Sequence, residues 1–245
     1  MGSVLNQLTD ILKSSDNIVF FGGAGVSTES GIPDFRSKDG LYNSIYKHPP
    51  ETILSRTFFL NNTRDFYEFY RDKLLYPNAM PNKAHIALAA LEKHKKLKAI
   101  ITQNVDGLHH KAGSVNVLEL HGSRGRYYCM TCNSIYTMDV VLKSNDVPLC
   151  TCGGIIRPDV VLFEEGLDQT VVEKSVKAIR EADVLIIGGT SLNVYPAAGL
   201  IQYYKGNKLI LMNKTETTYD GYANLIIRDA IGETLGSAVN AIGLL

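Results

Sequence analysis

Four cysteines are the first residues whose types and spacing could do chemistry. They stand as Cys129-x-x-Cys132, a spacer of 17 residues, and Cys150-x-Cys152. Four thiolates in two close pairs suit tetrahedral zinc held in a ribbon. An all-thiolate set leaves no open position, so such an ion is structural. Free buried thiols or a redox pair are the other uses of these residues. Their bunching in a chain without a visible secretory leader favours metal.

A second group lies around a glycine turn. Gly23, Ala24 and Gly25 follow an apolar run, and their N–H groups and the start of a following helix suit a pyrophosphate. A G-x-G-x-x-G fingerprint would place its third glycine at Thr28, so the turn departs from the common dinucleotide pattern. The stiff, charged loop that follows carries Pro33, Asp34, Phe35 and Arg36. A guanidinium there bridges phosphates, and the phenyl ring shields a reactive carbon from water. Without that loop, a tight strand-to-helix turn would explain the glycines equally well.

Other polar residues close further apolar runs. Gln103, Asn104 and Asp106 suit an amide or ribose hydroxyls, and they suit an ordinary turn just as well. His121 in "LELHGS" is a candidate general base, since imidazole titrates near neutrality. Thr190 and Ser191 offer hydroxyls to phosphate or ribose, or cap a helix opening at Pro196. The run "IIRPDVVLFEEGL" either accepts an extended peptide by strand addition or is one more core strand.

The elements that must position these groups follow from the apolar pattern. "NIVFFGG", "LKAIIT", "VNVLELHG", "ADVLIIGGT", "NKLILMN" and "NLIIRD" are nearly uniform in hydrophobicity, as parallel strands covered on both faces are. Helical periodicity runs over Val4–Ser14, Asn82–Lys95 and Asp168–Ala182, with Asn82 and Asp168 as N-caps. Pro196–Tyr204 and Glu233–Ile242 are shorter helical candidates. The alternation predicts an α/β fold, a Rossmann-like doubly wound parallel sheet with a small zinc-ribbon module and a helical insertion. We expect one unit over 1–245. Its nucleotide-binding part comprises 1–37, 82–123 and 158–245, the insertion 38–81 and the zinc module 124–157. The polar segments all follow strands, and in such sheets ligands bind beyond the carboxyl ends, so they predict one shared site.

Composition narrows the partners. The 245 residues are 45% hydrophobic, and 25 basic side chains balance 25 acidic ones. That balance gives no electrostatic reason to expect nucleic acid or an anionic membrane. No apolar run is long enough for a bilayer, and a cytoplasmic location is expected.

Together, "GAGVSTESGIPDFRS", "TQNVDGLHHKAG", "LHG", the cysteine pairs, "IIRPDVVLFEE" and "GTSLNVYPAA" resemble the sirtuin family, the NAD-dependent protein lysine deacylases. The resemblance runs over essentially the whole chain. It implies that the glycine turn (Gly23, Ala24, Gly25, Thr28) and the loop of Asp34, Phe35 and Arg36 hold NAD and close over it. Gln103 and Asn104 then meet the nicotinamide ribose, and Val105 and Asp106 the carboxamide. Gly189, Thr190, Ser191, Asn213 and Ile231 fall on the adenosine side. His121, with Asn104, is catalytic: the acyl oxygen attacks the ribose carbon as nicotinamide leaves, and the imidazole takes a ribose hydroxyl proton. Val161, Leu162 and Phe163 with Leu192, Asn193 and Val194 sandwich an acyl-lysine protein or peptide, and the four cysteines hold one structural Zn2+. Free lysine and O-acyl-ADP-ribose are the implied products.

Two positions depart from the family pattern. Cys150-x-Cys152 is one residue short, and Glu164 stands where the family usually has glycine, where it is expected to bias substrate choice. The branch preferring acidic acyl groups carries Tyr-x-x-Arg, and here the motif reads Tyr67-Glu68-Phe69-Tyr70. Acetyl or apolar acyl groups are therefore expected over succinyl. A protein ADP-ribosyltransferase and a non-catalytic NAD sensor are the alternative readings; a base beside the ribose argues against both.

Overall fold

The apolar runs become strands, and the central ones are buried along their whole length. The computed structural model describes residues 2–43 and 46–245; Met1, Ser44 and Ile45, which fall within the expected ranges 1–37 and 38–81, lie outside the described residues. In chain order the strands are β1 (Ile18–Gly22), β2 (Leu97–Thr102), β3 (Val117–Glu119), β4 (Gly122–Cys129), β5 (Ile135–Tyr136), β6 (Ile156–Val160), β7 (Val184–Gly188), β8 (Leu209–Met212) and β9 (Leu225–Ile227). Six of them form one parallel sheet in the order β3-β2-β1-β7-β8-β9. The order reverses between β1 and β7, and a reversal of this kind opens the crevice in which doubly wound sheets bind ligands.

The helices are α1 (Gly2–Ser14), α2 (Pro50–Ile53), α3 (Arg56–Asn61), α4 (Thr63–Lys73), α5 (Lys83–Lys93), α6 (Leu108–Lys111), α7 (Asp139–Leu142), α8 (Gln169–Glu181) and α9 (Ile231–Ala241), of which α1, α5 and α9 pack on one face of the parallel sheet and α8 on the other. Alternate strand residues divide between two cores, as period-two geometry requires. Phe20, Ile100, Ile186 and Ile210 pack with residues of α1, α5 and α9. Phe21, Ile101, Ile187 and Leu211 pack with residues around α8. Both expected caps are present. The Asn82 side chain accepts from the N–H groups of Ala84 and His85, and that of Asp168 from Val171. Asn82 also donates to the Val26 carbonyl at 2.8 Å, so the start of α5 is pinned to the glycine turn.

Three expectations change. The glycine turn leads into two three-residue 3-10 turns, Ala24–Val26 and Thr28–Ser30, and not into an α-helix. Gly31, at φ 80°, and Pro33 two residues on stop any longer helix. Pro196–Tyr204 is likewise a 3-10 segment, Ala197–Tyr203. The last helix opens at Ile231, two residues before Glu233.

The helical stretch and the cysteine segment are one body in packing terms. Phe58, Phe59, Phe66, Tyr67, Phe69 and Tyr70 share a core with Tyr127, Cys129, Ile156 and Leu162. β4, β5 and β6 form the small antiparallel sheet of this body, and the β4–β6 pairing reaches from Gly122 to Val160.

Candidate active site

At the reversal point the glycines serve close approach of one main chain to another. A methyl group at Gly25 would lie 2.8 Å from Gly189 Cα, and one at Gly189, which sits at φ 59°, would lie 2.4 Å from Val26 N. Gly23 N donates to the Gly188 carbonyl and Gly25 N to that of Gly189, at 3.1 and 2.8 Å. Those two N–H groups are thereby consumed, whereas among the described residues the N–H of the half-buried Ala24 has no main-chain acceptor. Thr28 turns its hydroxyl back onto the Gly25 carbonyl.

Beside the turn, Ser27 ties two expected site residues together. Its hydroxyl donates to Asp106 Oδ2 at 2.6 Å and accepts from Asn104 Nδ2 at 3.1 Å. Asp106 Oδ1 accepts from Leu108 N, which holds the carboxylate at the start of α6. Val105 is fixed through its carbonyl, which accepts from Arg124 N. Ser27 is 1% exposed and was not among the residues singled out from the sequence. A serine after a glycine turn looks like any turn residue, and only β1 and β2 lying side by side reveal its partners.

Gln103 performs two jobs. Its side-chain amide donates to Thr190 Oγ1 at 3.0 Å, which links the end of β2 to the end of β7. Its main-chain carbonyl lies 3.0 Å from His121 Nδ1. A carbonyl only accepts, so Nδ1 carries the proton and Nε2 keeps its lone pair. Burial lowers the His121 pKa from the ordinary 6.5, and the Gln103 contact opposes that shift in part. The ring is therefore a neutral base at neutral pH. Gly122, at φ 75°, follows because a methyl there would meet the Asp159 carbonyl oxygen at 2.2 Å.

The loop after the glycine turn is folded on itself. Asp34 Oδ1 accepts from Arg36 N and Ser37 N, Phe35 packs edge-on against Tyr42, and the Arg36 guanidinium lies 5.2 Å from the same ring. Arg36 is exposed, and among the described residues no carboxylate forms an ion pair with it. On the far side, Asn213 donates to Thr215, and Ile231 sends its side chain into the core. Ser191 is half-buried beside Thr190.

The two expected peptide segments differ in what they leave free. The N–H groups of Val161, Leu162 and Phe163 go to His121 O, Glu165 Oε2 and Leu54 O. Leu162 is buried, whereas the Phe163 ring is 40% exposed. Leu192 is buried at φ 57° with its N–H on Thr190 Oγ1, while Asn193 is exposed and Val194 half-buried. The cysteine Sγ atoms all lie within 4.8 Å of one another. Neighbouring pairs are 3.4–3.5 Å apart, too far for disulfides and close to the ~3.8 Å tetrahedral edge expected from a Zn–S length of about 2.3 Å. Thr131 N also points at Cys129 Sγ, as suits a thiolate. The short Cys150-x-Cys152 pair thus fits the ion.

Comparison with known proteins adds to this geometry. The Sir2 family model matches residues 23–196. The NAD-dependent protein deacetylase of Clostridium acetobutylicum is 59% identical over 239 residues, which is 96% of this chain and 98% of that protein. The protein of the same name from Clostridium perfringens is 56% identical over 244 residues, 98% and 100% of the two chains. A solved structure described as Sir2 with p53 peptide and NAD+ superposes with a TM-score of 0.87 at 38% identity, covering 98% of this chain and 99% of its own.

Proposed function

The chain belongs to the Sir2 family, and from that premise we infer that it is an NAD-dependent protein deacetylase. It removes acetyl or apolar acyl groups from protein lysine side chains, consuming NAD and one water and releasing free lysine, nicotinamide and O-acyl-ADP-ribose. NAD, when bound, supplies the ribose carbon that the acyl oxygen attacks as nicotinamide departs. The observation that carries the chemistry is the imidazole of His121, held by the Gln103 carbonyl in the tautomer with a free Nε2. With NAD bound, the free Nε2 of His121 would take the proton of a ribose hydroxyl, which is the role of a general base here.

The remaining roles are part of the same proposal. Asn104 and Asp106, braced by Ser27, orient the nicotinamide half of NAD. Ala24 N–H, Arg36 and Thr190 receive phosphate and ribose oxygens, and Phe35 covers the reacting carbon from water. Glycines 23, 25 and 189, Thr28, Asp34, Gln103 and Val105 shape this cradle, while Ser191, Asn213 and the Ile231 main chain serve the adenosine half. Val161–Phe163 and Leu192–Val194 border the peptide. One zinc ion, held by Cys129, Cys132, Cys150 and Cys152, keeps the small sheet in place.

The acyl preference follows from what the helical body lacks. Tyr67 donates to the Ile156 carbonyl and Tyr70 shares a hydrogen bond with Tyr127, so both rings belong to the core. Arg71 donates to the Asp146 carbonyl, and the position at which the acidic-acyl motif has its arginine is occupied by the buried Tyr70. Acyl-lysine proteins or peptides are the partners. Among the described residues no helix is long and apolar enough to cross a membrane. Four unbridged thiols suit a reducing compartment, and we place the protein in the cytoplasm.

NAD labelled in its adenylate half separates this reading from ADP-ribosyl transfer. With acetyl-lysine peptide, the label is expected in a small acylated molecule and the peptide loses its acetyl group. Label retained on protein beside an intact peptide would contradict the proposal.

A further inference from the structure

Glu164 stands at φ 76°, a backbone conformation strained for any residue with a side chain. Its side chain is exposed, and one carboxylate oxygen is engaged by a neighbouring helix. Oε2 accepts from both the main-chain N and the hydroxyl of Thr57, at 2.9 and 2.7 Å. Thr57 is the second residue of α3, whose N-cap is Ser55. A helix start leaves its first N–H groups without internal partners. Here Arg56 N donates to the Phe163 carbonyl, Thr57 N to Glu164 and Phe58 N to Ser55 Oγ. The cleft loop thus satisfies two of the first three.

The same loop is tethered on its other side to the catalytic strand. Val161 N donates to the His121 carbonyl at 2.9 Å, and Phe163 N donates to that of Leu54 at 3.0 Å. Glu165 grips Arg157 with both oxygens at 2.8 and 2.9 Å and accepts from Leu162 N. Every N–H from Val161 to Phe163 is used, which leaves the Val161 carbonyl and the Glu164 N–H for an incoming main chain. Where these two groups point depends on how firmly the loop is held between His121 and α3.

We propose that Glu164 is a positioning residue for peptide binding: its carboxylate latches the cleft loop to the start of α3 and holds the loop's free main-chain groups in register for the substrate. This deepens the deacetylase reading and rests on it. On this proposal the expected influence of Glu164 on substrate choice runs through the loop it holds, since its carboxylate is engaged at the helix start.

The test compares Glu164→Ala, Glu164→Gln and Glu164→Gly in the full chain. A hydrogen bond to a charged group corresponds to roughly a tenfold effect, so E164A is expected to raise the peptide KM about tenfold. The NAD KM should move less than about twofold, and the uncharged acceptor in E164Q should restore most of the loss. E164G, freed of backbone strain, is the variant that keeps the fold if E164A does not, and it should show the same rise. An unchanged peptide KM in E164A or E164G overturns the latch. A switch in E164Q from basic-flanked to acidic-flanked peptides overturns it too, since that places the carboxylate on the substrate. Hydrogen exchange at the Thr57 amide needs no turnover. It should accelerate about tenfold in E164A, and unchanged exchange refutes the latch even if the wild-type protein deacetylated nothing.

Discussion

The proposed role of His121 as base rests on one acceptor. With Nδ1 donating to Gln103 O and the ring partly desolvated, Nε2 stays unprotonated to below the ordinary imidazole pKa of 6.5. The acid limb of kcat/KM is therefore expected below pH 6.5, with activity lost as the ring becomes charged. A limb at or above that pH would mean that burial does not govern the group. Ser27 makes a second prediction at this scale. Ser27→Ala leaves the Asp106 carboxylate and the Asn104 amide each short of a partner in a buried setting. Leaving such groups unsatisfied costs about 1–3 kcal/mol, so NAD affinity by calorimetry should fall roughly 5- to 100-fold. Affinity within twofold of wild type would remove Ser27 from the account.

Between β1 and β7 the decisive contact is backbone on backbone. Gly189→Ala introduces both a left-handed alanine and a 2.4 Å approach to Val26 N. A loss of at least about 2 kcal/mol is expected, read as a fall in Tm of roughly 4–8 °C together with weakened NAD binding. An unchanged Tm would show that the turns can separate at no cost. The elements themselves were largely legible in the sequence. Uniform apolar runs marked the six parallel strands, and Asn82 and Asp168 marked two helix starts. The function of Gly23 and Gly25 was not legible, because a glycine that admits a phosphate and one that admits a neighbouring turn look alike. The partner of Glu164 was not legible for a related reason: a sequence places a carboxylate near a cleft but says nothing of an N–H group on another element.

For the molecule as a whole, the shared core of Tyr67, Phe59, Tyr127, Cys129 and Ile156 couples the metal site to the helical body. Spacing alone showed two modules and hid their common interior, since no periodicity relates Phe66 to Tyr127. Chelation should therefore disturb the aromatic near-UV signal of residues in α3 and α4 as well as the small sheet. Metal-free protein with an unaltered near-UV spectrum and full turnover would exclude a structural ion.

Acid stability is a second property of the whole. His85 and His109 are buried with rings 4.7 Å apart, and burial depresses both pKa values, that of His109 to about 3. The unfolded chain binds protons first, so their contribution is complete above about pH 6.5 and declines as pH falls below it. The slope for one such histidine is roughly 1 kcal/mol per pH unit, and His109→Leu should flatten the curve between pH 6.5 and 4 by about that amount. Parallel curves for the two proteins would show that the ring is not buried as described.

The central claim is that His121 completes a reaction whose cofactor is bound by the other strand ends. Product analysis of His121→Ala with NAD and acetyl-lysine peptide tests it most directly. The variant should bind NAD within about threefold of wild type and lose acyl removal by a factor of 10²–10⁴, the usual worth of a positioned base. Deacetylation by His121→Ala at the wild-type rate would contradict the account.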